Sequence, residues 1–335
     1  MSKIISKFFK LNLRMFDTQV TTQDSMSVEM KTYYEDTLID SAEANLVHDQ
    51  FADKYPIPKN GGKTIEFRKY ASLPKALTPL TEGVTPSGSN LSVSKIEATV
   101  NQFGDYIKLS DVLELTAIDN NVIQATKLLG SQSGRTLDTI TREIINAGTN
   151  VIYADKSDGS EVLSRSALTA DAEATPDTFL RAAAQLKAMN AQKINGSYIA
   201  IIHPYATYSV ISSKDFIDIH KYKDPENIYE GEIGSLGGIR FIESTEAKIW
   251  KDETCPLGLA VFSTLVIAAH AYATTEVTGG GLQHIVKQLG YGDDPLNQRS
   301  SVGWKAIKTA EILSNEYMVR VESCSKRYSA KIDAN

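Results

Sequence analysis

Glycine, lysine and threonine stand together at positions 62–64, in the order that ends a phosphate-binding P-loop. The complete motif also requires a glycine where Ile57 stands, and its loop must open a helix. Residues 64–70 alternate like a strand, so the segment fails both requirements. Four later glycines also lack the G-x-G-x-x-G spacing of a dinucleotide-binding loop. They are Gly231, Gly234, Gly237 and Gly238, and Ile239 after them opens a strand.

Nucleophiles and general bases also lack the spacing that catalysis requires. Ser133 lies near Gly130 and Gly134, but Gln132 occupies the central position of a G-x-S-x-G elbow. The five histidines are scattered, and none belongs to an H-E-x-x-H pair. They are His48, His203, His220, His270 and His284. His203 precedes a proline at a strand end, where a structural role is favoured over metal ligation.

Carboxylates and cysteines do not form a recognisable metal site either. Asp155, Asp158 and Glu161 surround a glycine but miss the EF-hand register. The pair Asp293 and Asp294 could bind a cation, although a solvated turn is the favoured interpretation. The two cysteines, Cys255 and Cys324, have no metal-ligand spacing, which favours free thiols in a reducing compartment. We therefore predict no catalytic residue, no cofactor, no metal and no enzyme activity.

Composition indicates a globular protein with a substantial core. The chain has 335 residues, of which 42% are hydrophobic and 23% are charged. Its net charge is −6 and its isoelectric point is about 5.5. Because DNA is polyanionic, such a protein should repel nucleic acid weakly rather than grip it.

Two segments could be mistaken for membrane elements. Residues 1–14 carry four basic residues and no acid, which allows an amphipathic helix, but a surface arm or an upstream extension before Met15 is favoured. Residues 257–273 form the longest apolar run, yet it falls short of a membrane span and contains His270. We expect a buried strand pair there.

A long arm between residues 62 and 111 is the most informative feature of the sequence. Residues 64–70, TIEFRKY, alternate apolar and charged side chains with the period of a half-buried strand. A second strand begins near Leu91 and passes through Val93 and Ile96, where the change of parity predicts a β-bulge. The residues between these strands are rich in proline, glycine, serine and threonine.

A connection this long is unusual inside a compact domain, and an isolated hairpin is marginally stable in water. The arm is therefore either flexible or built to lie on a neighbouring molecule, and we favour the neighbour. Its apolar residues are the expected intersubunit contacts of this extended loop. They are Leu77, Leu80, Val84 and Leu91.

A long helix follows the arm. Asp119, Asn120 and Asn121 are its N-cap candidates. Steps of three and four residues place one apolar stripe on this helix. The stripe comprises Val122, Ala125, Leu129, Ser133, Leu137, Ile140 and Ile144.

The rest of the chain mixes strands and helices. A second helix should begin at Pro176, and buried strands are expected at residues 198–203 and 239–244. Two more strands should lie within residues 304–324. Because there is no regular βαβ alternation, we predict the α+β class.

Several extended stretches resemble one known family. They are GKTIEFRKYASLPKALTPLTEGVTP from Gly62, NQFGDYIKLSDVLELTAIDNN from Asn101, GTNVIYA from Gly148, IIHP from Ile201, FIDIHKYKDPENIYEGEIGSLGGIRFIEST from Phe216 and KQLGYGDDPLNQRSSVGWKA from Lys287. Together they are similar to the major capsid (coat) proteins of tailed bacteriophages, in the podovirus-type branch. The resemblance runs over residues 27–323, and residues 1–14 lie outside it.

The resemblance implies the tailed-phage major capsid protein fold. In that fold, residues 1–61 are an N-terminal arm and residues 62–100 are an extended β-hairpin loop. Residues 101–194 are a peripheral domain whose spine helix spans residues 121–147, with Val122, Leu129, Leu137, Ile140 and Ile144 on it. Residues 195–290 are an axial domain, and residues 291–335 return to the peripheral domain.

The same resemblance implies a structural protein of the virion, assembled in the host cytoplasm as hexamers and pentamers of an icosahedral shell around double-stranded DNA. The implied partners are many copies of itself, a separate scaffolding protein, a portal and the genomic double-stranded DNA, which is contacted without sequence specificity. No membrane is implied, and a decoration protein stays open. Two alternatives remain open. They are the shell of a cellular nanocompartment with the same fold, and a soluble α+β enzyme with an unrecognised site.

Overall fold

A computed structural model describes residues 47–70, 73–85, 87–116, 121–213, 235–292 and 294–335. The helices in these ranges are α1 (Asp111–Thr116), α2 (Asn121–Asn146), α3 (Pro176–Ala188) and α4 (Pro204–Ile211), with 3-10 turns at Arg165–Ala167 and Asn315–Tyr317. The strands are β1 (Asp53–Lys54), β2 (Thr64–Tyr70), β3 (Val93–Thr99), β4 (Asn101–Ser110), β5 (Val151–Tyr153), β6 (Tyr198–Ile202), β7 (Ser235–Leu236), β8 (Ile239–Glu243), β9 (Ile249–Trp250), β10 (Val261–Ile267), β11 (Tyr272–Glu276), β12 (Gln283–Lys287), β13 (Arg299–Ile312) and β14 (Met318–Ser323). This mixture confirms the α+β class.

The described residues group into two compact units. The smaller unit contains residues 104–133 and 282–305, and the larger unit contains residues 47–103, 134–281 and 306–335. The long helix α2 and the long strand β13 each contribute residues to both units.

A seven-stranded sheet forms the centre of the larger unit, in the order β5-β14-β10-β6-β8-β7, with β9 beside β10. Every residue of β10 is buried, and β10 pairs antiparallel with β14 and with β6. Of the buried strand pair expected within residues 257–273, only β10 lies wholly in that range, so the predicted pair is wrong; β11 begins at Tyr272 and does not pair with β10. Strand β11 joins a different sheet, where it pairs with β1 and β13. Within the described ranges, no helix is long and apolar enough to cross a membrane.

Helix α3 covers part of this sheet and begins where the sequence predicts. Thr175 caps it by accepting a hydrogen bond from the Thr178 amide at 3.4 Å, and Pro176 occupies the first turn, where its missing N–H costs nothing. Phe179 and Leu186 are fully buried in the core of the larger unit. The Phe179 ring meets Phe241 edge-on at 5.0 Å.

Strand β13 pairs with β12 and is approached closely by β4 in the smaller unit. There, β12 pairs antiparallel with the first part of β13, from Gln283 opposite Lys305 to Lys287 opposite Ser301. A Cβ atom at Gly303 would lie 2.7 Å from the Cβ atom of Tyr106, and one at Gly104 would lie 2.5 Å from the carbonyl oxygen of Trp304. Glycine is therefore required at both positions by the approach of β4 to β13.

Helix α2 confirms the predicted long helix, although its buried face differs from the predicted stripe. Leu129 and Leu137 are buried as expected, whereas Val122, Ile140 and Ile144 are only partly buried. The residues that follow the two isoleucines, Thr141 and Ile145, are buried instead. The predicted N-cap residues Asp119 and Asn120 lie outside the described residues.

Polar partners explain this shift of the buried face. Thr141 donates a hydrogen bond to the Asp49 carboxylate at 2.6 Å, and Lys308 contacts the same carboxylate. Asp138 is fully buried and accepts hydrogen bonds from the His48 amide at 2.7 Å and from the His48 ring at 2.6 Å. Buried polar groups are tolerated when they are hydrogen-bonded, so this polar face of α2 lies inside the larger unit.

Candidate functional site: an exposed hairpin projection

Strands β2 and β3 form a separate two-stranded antiparallel sheet. Its register is continuous from Thr64 opposite Thr99 to Tyr70 opposite Val93, so the predicted bulge is wrong. Val93 and Ile96 are three residues apart and therefore lie on opposite faces of the sheet. The apolar residues change from odd to even positions for this reason, without an extra residue in the strand. We call residues 64–99, the two strands with their connecting loop, the hairpin projection.

The inner face of the projection is attached to the larger unit. Ile65, Phe67 and Ile96 are partly buried, and Ala98 is buried. The Phe67 ring packs edge-on against Tyr55, with 5.4 Å between the ring centroids. These contacts fix the base of the projection, and the apolar alternation of residues 64–70 is the sequence signal for this face.

The connecting loop, in contrast to the inner face of the strands, is exposed to solvent. Every described residue of 73–85 and 87–92 is exposed. The exposed fractions are 81% at Leu77, 78% at Leu80, 62% at Val84 and 72% at Leu91. Several exposed large apolar side chains on one loop indicate an interaction surface or an aggregation hazard. The four predicted contact residues thus lie together on one exposed loop, and their contact with a neighbour stays a prediction.

The outer face of the projection carries charged residues in two adjacent rows. Glu66 lies directly opposite Glu97, and in the next outer-face pair Arg68 lies directly opposite Lys95. Lys95 bridges the rows, with its Nζ atom 2.5 Å from Glu97 and 3.7 Å from Glu66. The hydrogen bond with Glu97 is the main cause that raises the pKa of Lys95. Thr64 and Thr99, paired at the base of this face, share a hydrogen bond of 3.2 Å.

His48, His203 and His270 make contacts that stabilise the fold. The His203 ring caps helix α4 by accepting a hydrogen bond from the Tyr205 amide at 3.2 Å, and it stacks on Phe262 at 5.4 Å. Burial lowers the pKa of His203 to about 4. His270 pairs with Asp53 at 2.7 Å. His220 lies outside the described residues.

Acidic groups that looked available in the sequence also have partners. Asp294 is buried rather than solvated, and its carboxylate accepts a hydrogen bond from the Arg299 amide at 2.7 Å. Asp155 pairs with Arg181 at 2.6 Å. Within the described ranges, no group of three or more histidine, cysteine, aspartate or glutamate residues is arranged to hold a metal ion. Cys255 and Cys324 are both free thiols.

A cleft of about 600 Å³ lies in the smaller unit, between strand β4 and residues 285–304. Both lysines of its lining lie over aromatic rings, with Lys287 4.7 Å from the centre of the Tyr291 ring and Lys108 5.5 Å from that of Tyr106. Asp105, one of two aspartates in the lining, accepts a hydrogen bond from Gln132 at 2.7 Å, and this bond is the main cause that lowers the pKa of the Asp105 carboxyl. These pairings stabilise the walls and do not assemble a nucleophile with a base.

No protein-family model and no curated protein matches the sequence. Solved structures do match the fold. The capsid of cyanophage P-SCSP1u has a TM-score of 0.63 and 15% identity, covering 82% of this chain and 87% of that chain. The capsid of Ralstonia phage GP4 has a TM-score of 0.64 and 12% identity, covering 84% and 88%. A virus-like particle from Pyrococcus furiosus has a TM-score of 0.50 and 11% identity, covering 88% and 99%. The chain therefore has the fold of tailed-phage capsid proteins.

Proposed function

We propose that this chain is a structural major capsid protein of a tailed bacteriophage. Its copies self-assemble as hexamers and pentamers into an icosahedral shell that encloses double-stranded DNA. The observation that carries this proposal is the exposed hairpin projection on a body with the capsid fold. The proposed location is the virion capsid, assembled in the host cytoplasm.

The physical argument starts from the leucines of the loop. Each apolar side chain that moves from water into a contact contributes about 25 cal/mol per Å² of buried area. Such a contact is modest alone, but a closed shell repeats it in every subunit, and multivalent contacts reinforce one another. Neighbours would meet through two different patches, and such heterologous contacts form closed rings when the angle allows.

Partners other than the chain itself follow from the same proposal. Its net charge of −6 suits a container that releases densely packed DNA instead of binding it tightly. A separate scaffolding protein and a portal are the proposed assembly partners, and a decoration protein is a further candidate. The role is structural, without catalysis.

A second candidate function is the shell of a cellular nanocompartment. The likeness to the virus-like particle from Pyrococcus furiosus supports this alternative, because that particle is built from a chain of similar fold. The contents of particles isolated from the native source distinguish the two: nuclease-protected double-stranded DNA supports the capsid, whereas a protein cargo supports the nanocompartment. A soluble α+β enzyme is the third and weaker alternative.

Electron microscopy of the purified protein tests the proposal directly. We expect rings or closed shells at high protein concentration. A stable monomer that binds a defined small molecule would instead favour the enzyme.

Deletion of residues 77–88 tests the role of the projection. Because the described residues of this segment are exposed, the shortened subunit should fold with an unchanged circular dichroism spectrum and fail to assemble. The matched control is Leu257→Ser, which alters a fully exposed leucine on a turn outside the projection and should assemble normally. If the deletion unfolds the subunit, the loop is part of its own core and the proposal loses its basis.

A further inference from the structure

The outer face of the hairpin projection is exposed and strongly patterned. Moving outward from the base, its cross-strand pairs are Thr64 with Thr99, Glu66 with Glu97, Arg68 with Lys95 and Tyr70 with Val93. The four charged side chains keep between 45% and 68% of their surface exposed. An acidic row thus lies beside a basic row, about 7 Å away along the strands.

This order does not favour the hairpin itself. Like charges directly opposite each other destabilise a strand pair, and opposite charges stabilise it. Both charged rows place like charges directly opposite each other. Contacts between the rows offset part of this repulsion: Lys95 lies 2.5 Å from Glu97 and 3.7 Å from Glu66, and Arg68 lies 4.0 Å from Glu66. Exchanging Glu97 with Lys95 would keep the composition and give two attractive cross-strand pairs. The observed order therefore points to a partner outside the hairpin.

We propose that this outer face pairs with the same face of a second copy of the chain, across a two-fold axis. The axis lies in the interface between the two outer faces, midway between the acidic and the basic row. It is parallel to the sheet and perpendicular to the strands. Rotation about it turns the second hairpin antiparallel to the first, so each acidic row faces the basic row of the other copy. Glu66 then faces Arg68 of the second copy, and Glu97 faces its Lys95. This isologous contact rests on the proposed shell function, since the shell supplies the many copies.

The charged rows determine orientation and register more than strength. Exposed ion pairs contribute little each and are screened by salt, whereas a like-charge mismatch across an interface excludes the wrong arrangement. A parallel arrangement of the two hairpins, or a shift by one row, would place acid against acid or base against base. Only the antiparallel arrangement pairs all four charged residues of both copies.

Charge reversal tests this geometry. The acidic-row variant Glu66→Lys/Glu97→Lys makes the whole face basic, and we expect its critical concentration for assembly to rise at least tenfold. The full-swap variant adds Arg68→Glu and Lys95→Glu, which restores complementarity between identical copies. It should assemble alone within threefold of the wild-type concentration and should be excluded from wild-type shells in mixing experiments. The control Glu253→Lys reverses an exposed charge outside the projection and should assemble normally.

The outcomes separate this inference from the proposed function. If the wild-type protein forms no shell, the proposed function fails. If wild-type shells form but the folded full-swap variant does not assemble, the face binds a different surface and the inference is overturned. Assembly of the acidic-row variant at wild-type concentration, or free mixing of the full-swap and wild-type chains, overturns it as well.

A second measurement does not depend on the folding of variants. Shells assembled from equal amounts of light and nitrogen-15-labelled wild-type chains are treated with a zero-length carbodiimide cross-linker. The inference predicts a cross-link between Lys95 and Glu97 that joins a light peptide to a heavy one. Detection of that cross-link only within single chains contradicts it.

Discussion

Truncation of Leu80 tests the exposed loop at a single side chain. Leu80 is 78% exposed in the subunit, so Leu80→Ala should change the free energy of unfolding by less than about 0.5 kcal/mol. In a shell the same side chain should be buried on a neighbour. The substitution removes three carbon atoms, and at about 0.8 kcal/mol per buried CH₂ the contact should weaken by about 2 kcal/mol. Since 1.4 kcal/mol corresponds to a factor of ten, the critical concentration for assembly should rise about 30-fold.

Light scattering across a protein dilution series measures this critical concentration, and thermal unfolding of dissociated subunits measures stability. Leu257→Ala is the matched control because Leu257 is also exposed but lies on a turn outside the projection. We expect the control to assemble at the wild-type concentration. Two results would refute the reasoning: an unchanged critical concentration for Leu80→Ala, or a large loss of subunit stability.

Three further predictions concern the subunit itself. Glu322 is fully buried and accepts hydrogen bonds from Arg165 at 2.7 and 2.6 Å and from Arg320 at 2.8 Å. Arg165→Ala removes the first two and leaves Arg320 paired with Glu322, so it should lower the free energy of unfolding by about 2 kcal/mol; a urea titration showing no loss would contradict this. The pKa of His203 is lowered to about 4 by burial, so the unfolded chain binds the proton more readily and stability should fall between about pH 6.5 and pH 4. His203→Asn keeps a capping side chain and should make that fall shallower, which unfolding titrations at several pH values can check. Gly303→Ala would bring a Cβ atom 2.7 Å from Tyr106 and should cost about 1–3 kcal/mol, and an unchanged melting temperature would argue against that close approach.

The sequence predicts best where a pattern follows from one physical cause. Residues 64–70 alternate because only one face of β2 meets the larger unit, and the strand ends where the alternation ends. Helix α3 begins at Pro176 because capping chemistry is local. The exposure of Leu77 and Leu80 could be expected because the surrounding prolines and glycines leave no pattern that would build a local core.

The failures come from interactions between distant parts of the chain. The change of parity between Val93 and Ile96 predicts a bulge, but the same change arises when Val93 places an apolar side chain on the outer face of a regular strand pair. Helix α2 buries Thr141 instead of Ile140 because Asp49, far away in sequence, accepts its hydrogen bond. The rows of charge on the hairpin also depend on cross-strand register, which a single strand does not specify.

Hydrogen exchange of residues 73–92, compared between dissociated subunits and intact shells, tests most directly whether neighbours cover the projection. The loop should exchange rapidly in subunits, because its described residues are exposed, and should become protected in shells. Strand β10, buried within the subunit, should be protected in both states and serves as the internal reference. Equal exchange of the loop in subunits and shells would contradict the role proposed for it.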